Sequence, residues 1–150
     1  LAAFWALETD YGQVQGYCTT APALPPLPHD CPRPELFQPQ LLAAVQLYEA
    51  GDFDPASTTG AWAGEIGQTQ FLPAAYVKYA VDFDGDGRRD VIRTPADVLA
   101  STANFLKAHG WQRGAPWGEG TANFDVIRDW NRAEVYVKTI AVMADKLDGR

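Results

Sequence analysis

The chain has 150 residues, 47% of them apolar and 21% charged, with a net charge of −7. That is enough chain for one domain with a core. The acidic balance excludes an electrostatic case for nucleic acid or anionic membrane, and no apolar run is long enough to span a bilayer. The sequence opens at Leu1 inside an apolar helical stretch, without Met or an N-cap residue, so more chain is expected before it.

In LAAFWALETDYG, seven apolar residues (Leu1 to Leu7) run into one carboxylate, Glu8. The pattern predicts a buried helix that Gly12 ends. A carboxylate at the end of such a helix, beside Phe4, Trp5 and Tyr11, loses solvation, which favours its protonated form. A carboxyl group that keeps its proton near neutral pH can act as a general acid. The plain alternative is a solvated glutamate on a helix surface. Asp10, the nearest second acid, is off that position and is expected to point elsewhere.

From Cys18 to Pro39 the chain carries Pro22, Pro25, Pro26, Pro28, Pro32, Pro34 and Pro39, which predicts an extended covering loop. Cys18 and Cys31 bracket part of it, as one disulfide or as two free thiols. In ELFQPQLLAAVQLYEAG, Leu41, Leu42, Val45 and Tyr48 fall at helical spacing, predicting the buried face of a core helix that closes at Gly51. GAWAGEIGQTQFLPAAY sets Gly60, Gly64 and Gly67 among Trp62, Ile66 and Phe71. Such glycines permit close approach, either of neighbouring elements or of a ligand. The amides of Gln68 and Gln70 both donate and accept, as sugar hydroxyls and N-acetyl groups require. Pro73 starts a short helix to about Val81.

VDFDGDGRRDVI alternates Asp82, Asp84 and Asp86, then Gly87, with Asp90 following. Alternating carboxylates in a tight turn converge on one point, as a hard cation such as calcium requires; the plain alternative is an acidic surface turn. Gly87 takes position six, the Arg88 carbonyl position seven and Asp90 position nine. Position twelve is Arg93, so this is not a complete EF-hand loop, and Asp90 or Asp97 is expected to finish the shell. Thr94, Pro95 and Asp97 fit N-cap, N1 and N3 of a helix that runs through Val98, Leu99, Phe105 and Leu106 to His109-Gly110. His109 there fits a structural role at the helix end, and neither it nor His29 has a nucleophile in a recognisable setting. A Gly- and Trp-rich loop holds Trp111 and Trp117. A short helix, a break near Asn131 and a last helix follow, with Val135, Ile140, Met143 and Leu147 expected as the last helix's buried face. Trp130-Asn131, an aromatic beside an amide, suits a sugar ring or the core equally. The fold class is mostly α with long loops.

Together FWALETDYGQVQG, GAWAGEIGQTQFLPAAY, YAVDFDGDGRRD, STANFLKAHGW and the DWNR segment resemble the lytic murein transglycosylases of the membrane-bound B type, glycoside hydrolase family 103. The resemblance covers nearly the whole chain. It implies a lysozyme-like helical catalytic domain over 1–150, short of its N-terminal part, with an EF-hand-like aspartate loop. It implies cleavage of the β-1,4 bond between N-acetylmuramic acid and N-acetylglucosamine in peptidoglycan, leaving a 1,6-anhydromuramoyl end. Glu8 matches the family's catalytic acid, which then acts as base; the substrate's 6-hydroxyl replaces a second carboxylate. Gln70 and Phe71 match the element lining the sugar groove, and Tyr11, Phe105, Trp130 and Asn131 are the further substrate contacts. Asp82, Asp84, Asp86, Arg88 and Asp90 match a structural calcium loop. The implied setting is the periplasm, with membrane anchoring through a segment absent here. The implied partners are glycan strands and cell-wall synthesis enzymes, and the implied state is a monomer. Ala61 and Phe105 stand where some relatives carry hydroxyls, and the proline-rich loop departs from the family's helical segment. Two other functions compete: a non-catalytic wall-binding domain, and a muramidase hydrolysing the same bond.

Overall fold

The computed structural model describes residues 1–19, 34–54, 56–61 and 64–149. Most of the proline-rich loop, with His29 and Cys31, lies outside them, as do Trp62 and any pairing of Cys18 with Cys31.

Helix α1 (Ala2–Thr9) forms because five good helix formers, Ala2, Ala3, Ala6, Leu7 and Glu8, come before its first β-branched residue, Thr9. It buries Ala3, Phe4 and Thr9. The helix ends earlier than Gly12 suggests. Asp10, Tyr11 and Gly12 all take positive φ, at 50°, 58° and 86°. The Thr9 hydroxyl accepts the Gly12 N–H at 2.9 Å, and the Thr9 carbonyl accepts the Val14 N–H at 2.9 Å. A short antiparallel pair follows, β1 (Cys18–Thr19) with β2 (Thr59–Gly60).

Helix α2 (Pro34–Ala50) begins at Pro34 and contains Pro39, so the covering loop predicted to Pro39 is shorter than expected. The face of α2 also differs from expectation. Leu42, Val45 and Tyr48 are exposed, at 62%, 48% and 59%, while Gln40, Ala43, Ala44 and Leu47 are buried. The reason lies in its neighbour α3 (Pro73–Tyr79). Two alanines let α2 approach α3 closely. The Gln40 amide oxygen accepts the Ala74 N–H at 2.9 Å, satisfying a first-turn donor that α3's own N-cap, Leu72, leaves unpaired.

The aspartate loop leads into α4 (Pro95–Ala108). Helix α5 (Ala122–Trp130) is capped by Thr121, whose hydroxyl accepts the Phe124 N–H. After the break at Asn131 comes α6 (Glu134–Leu147). Its buried face is Val137, Ile140 and Ala141; Val135 and Leu147, expected inside, are exposed. The rotation follows from Tyr136, which points inward toward α1. Helix α6 packs on both α1 and α5, so the first helix and the last two meet. The core between them is Phe4, Phe71, Phe105, Phe124, Ile127, Val137 and Ile140. Mostly helical architecture was expected, and is found.

Candidate active site

Glu8 lies in the last turn of α1, and its Oε1 accepts two hydrogen bonds. The Tyr136 hydroxyl donates at 2.5 Å and the Trp130 indole N–H at 3.2 Å. Among the described residues no Lys, Arg or His pairs with it. Burial raises the Glu8 pKa above its ordinary value; the Tyr136 and Trp130 bonds oppose that, and the charge of Glu65 adds to it. Burial, together with the Glu8 charge, pushes the Tyr136 phenol far above its usual range, so it stays a donor at any working pH. A carboxyl group biased toward its acid form, with two donors ready for the anion, has what proton transfer in both directions needs.

Trp130 is aimed by aromatic packing. Phe105, Phe71 and Phe4 present edge-on contacts to it at centroid distances of 4.8, 5.0 and 5.4 Å. Phe71 is 1% exposed and Phe105 8%, so these two expected substrate contacts are instead the socket that holds Trp130. Phe105 also stacks on His109 at 4.1 Å. The His109 ring nitrogens bridge Asp129 and Tyr79, both at 3.1 Å, the structural role expected for a residue at a helix end.

The segment 64–71 is tied to α1 through Gln68. Gln68 is buried: its amide accepts the Trp5 indole N–H at 2.9 Å and donates to the Ile92 carbonyl at 3.0 Å, while its own carbonyl accepts the Thr9 hydroxyl at 2.5 Å. It is therefore a strut between this segment and α1. Gly67 (φ 82°) shows the tight packing: a Cβ there would lie 2.6 Å from the Val91 carbonyl oxygen. Gln70 spends its amide N–H groups on the carbonyls of Gly67 (2.8 Å) and Gln15 (3.2 Å), and no protein group among the described residues engages its amide oxygen. Tyr11 is 43% exposed and rests edge-on against Trp5 at 5.5 Å. Asn131 is exposed, its side-chain oxygen accepting the Ala133 N–H. Tyr11 and Gln70 both hold left-handed backbone, at φ 58° and 59°. Non-glycine residues adopt it at a cost, and such strain gathers at functional sites.

Sequence reasoning missed Tyr136 and Glu65, and it placed Trp5 beside Glu8 without its bond to Gln68. Nothing local marks Tyr136, since its contact with Glu8 crosses 128 residues. Glu65 carried a visible signal, a carboxylate alone in a glycine-rich apolar stretch.

At the aspartate loop, oxygens of Asp82, Asp84 and Asp86 all lie within 4.8 Å of one another. Gly87 takes φ 88°, as the bend requires. Asp82 accepts the N–H groups of Gly85 (2.7 Å) and Gly87 (2.9 Å), which wraps the loop around that carboxylate. Asp90 and Asp97 do not join the cluster. Asp90 Oδ1 accepts the Ile92 and Arg93 N–H groups. Asp97, 0% exposed, accepts the Phe83 N–H at 2.8 Å and the Asp90 N–H at 2.9 Å. It clasps both ends of the loop instead of completing a shell.

The fold and this site define a helical transglycosylase domain, and the chain belongs to the family described as transglycosylase SLT domain, whose model matches residues 1–122. It is 38% identical over 109 residues to the membrane-bound lytic murein transglycosylase B of Escherichia coli strain K12; the match takes in 72% of this chain and 30% of that protein. It superposes on SltB3 of Pseudomonas aeruginosa in complex with NAG-anhNAM-pentapeptide with a TM-score of 0.90 and 31% identity, over 98% of this chain and 55% of that one. The Escherichia coli lytic transglycosylase Slt35 in complex with calcium gives a TM-score of 0.84 at 26% identity, over 93% and 62%. The chain thus spans less than two thirds of the length of each of these relatives.

Proposed function

We propose that the chain is a lytic transglycosylase that cleaves the β-1,4 bond between N-acetylmuramic acid and N-acetylglucosamine in peptidoglycan. The observation that carries this reading is Glu8: a desolvated carboxyl group, free of any cation among the described residues, whose Oε1 faces two fixed donors. Glu8 gives its proton to the glycosidic oxygen as the bond to C1 breaks, and the electron pair leaves on that oxygen. The Glu8 anion, steadied by Tyr136 and Trp130, then takes the proton from the muramoyl 6-hydroxyl, whose oxygen closes on C1. The proton count balances, and no water is consumed. SltB3, bound to NAG-anhNAM-pentapeptide, carries the kind of end this chemistry leaves. Tyr11, the Gln70 amide oxygen, the indole face of Trp130 and Asn131 line the sugar groove.

Glycan strands are the substrate and partner, and the periplasmic envelope is the place of action; no helix among the described residues is long and apolar enough to cross a membrane. The test is mass spectrometry of soluble products from sacculi, with Glu8→Gln in parallel. Products one water lighter than hydrolysis products, absent with the variant, are expected. Cleavage by Glu8→Gln would remove the catalytic assignment, and hydrated reducing ends would mean a muramidase.

Asp82, Asp84 and Asp86, with the Arg88 carbonyl, fit a structural calcium ion, which the Slt35 complex supports by likeness. Its contribution is to hold the loop, and no step of the reaction runs through it. A chelator is expected to lower the melting temperature, with recovery on adding calcium, because a ligand of the folded state alone stabilises it. Identical melting curves with and without chelator would dismiss the ion.

A further inference from the structure

Trp130 gives Glu8 the longer of its two hydrogen bonds, 3.2 Å against 2.5 Å from Tyr136. A bond at the long end of the N–H···O range depends on the direction of its donor. Trp130 is also the last residue of α5, and the backbone turns extended at Asn131. Helix ends fray, so the indole needs an anchor beyond its own helix. His109, the residue that closes α4, supplies one. Its ring lies flat on Phe105, centroids 4.1 Å and planes 14° apart, and Phe105 meets Trp130 edge-on at 4.8 Å. Its Nδ1 lies 3.1 Å from Oδ2 of Asp129, the residue before Trp130 on α5. Its Nε2 lies 3.1 Å from the hydroxyl of Tyr79 on α3, whose ring also meets Phe105 edge-on, at 4.9 Å. A carboxylate only accepts, so Nδ1 carries the proton and Nε2 accepts from the Tyr79 hydroxyl. Asp129 itself is oddly placed: a negative charge in the last turn of a helix opposes the helix dipole. Among the described residues no Lys or Arg pairs with it, and His109 is the group that holds it.

We propose that His109 is a positioning residue of the site: by gripping Asp129 and backing Phe105, it fixes the direction from which the Trp130 N–H meets Glu8. This rests on Glu8 being the acid–base group. His109 acts through Trp130. Its ring supports the aromatic socket, and its Nδ1–H fixes the turn of α5 from which the indole projects. The Trp130 bond is strongest to the Glu8 anion, which forms as the proton leaves. The positioning therefore bears on kcat more than on KM.

The experiment is 1H–15N NMR of the Trp130 indole N–H in the intact chain, beside kcat and KM for sacculus cleavage. The proteins are the wild type, His109→Phe, His109→Asn and Asp129→Ala, with Trp130→Phe to identify the resonance. His109→Phe keeps a ring on Phe105 and loses the Asp129 bond. It should move the indole resonance upfield and speed its exchange with solvent. With KM little changed, kcat should fall by a few-fold to roughly tenfold, because the N–H is loosened and not removed. His109→Asn, whose amide can donate to Asp129 in place of Nδ1, should recover a large part of both. Asp129→Ala should repeat the His109→Phe effect from a side chain that is 55% exposed, so the test survives a His109 variant that fails to fold. An indole resonance unmoved in His109→Phe and Asp129→Ala, a shift that His109→Asn leaves uncorrected, or lost stability with kcat intact overturns the proposal. The NMR readout needs no turnover, so failure of the transglycosylase reading would show separately, as cleavage that survives Glu8→Gln.

Discussion

Replacing Tyr136 by Phe removes one hydroxyl and keeps the ring, whose centroid lies 6.5 Å from that of Phe4. The lost bond is the 2.5 Å donation to Glu8 Oε1. A hydrogen bond to a charged group contributes roughly 1.5–3 kcal/mol, and this one gains its strength as Glu8 gives up its proton. The loss therefore falls on the transition state. At about 1.4 kcal/mol per tenfold, kcat should drop about tenfold to a hundredfold, toward the smaller figure because the Trp130 donor remains. The pH profile should move as well. With one donor to the anion gone, Glu8 holds its proton more tightly, and the alkaline limb shifts to higher pH. The assay is release of soluble muropeptides across pH, with circular dichroism to verify the fold. A Tyr136→Phe protein with wild-type turnover and an unmoved limb would refute the assignment of this hydroxyl to the reacting carboxylate.

Asp97→Asn should loosen the aspartate loop. One of the two oxygens that clasp Phe83 and Asp90 becomes a donor facing a donor, costing roughly 1.5–3 kcal/mol, or roughly 3–12 °C in melting temperature; a melting curve unchanged by the substitution would mean the clasp carries no weight. Glu8→Gln should alter stability with a definite sign. Because the folded pKa of Glu8 is raised above 4.5, the folded state holds this proton more tightly than the unfolded one. Its stabilising effect is complete below the unfolded value and is lost as pH rises through the folded one. The melting temperature of the wild type should thus fall relative to Glu8→Gln from acid toward neutral pH. Parallel curves for the two proteins would contradict the desolvation of this carboxylate.

Features whose cause is local were legible in the residues. Glu8 stood out because an apolar run led straight into it, and the aspartate loop because metal spacing is written in consecutive positions. Helix boundaries at Pro73, Pro95 and Asn131 followed from proline and turn chemistry. What depended on a partner was misread. Helix α2 carries two candidate inner faces, and the bulkier one, Leu42–Val45–Tyr48, stayed outside because α3 needed small neighbours and the Gln40 amide. Phe71 and Phe105 read as groove aromatics, yet their edges belong to Trp130. In the same way Asp97 looked like a ligand because acidity is visible in a sequence, whereas the two backbone donors that claim it are not.

The contacts that prepare Glu8 come from residues 122 and 128 positions further along the chain. Until α5 and α6 have docked against α1, Glu8 is an ordinary hydrated side chain that sheds its proton at mildly acidic pH. A chain whose α5 and α6 are undocked therefore lacks both donors to Glu8, even with α1 and the segment 64–71 in place. Acid strength here is a property of the completed fold: α1 supplies the carboxyl group, and α5 and α6 supply the donors that tune it.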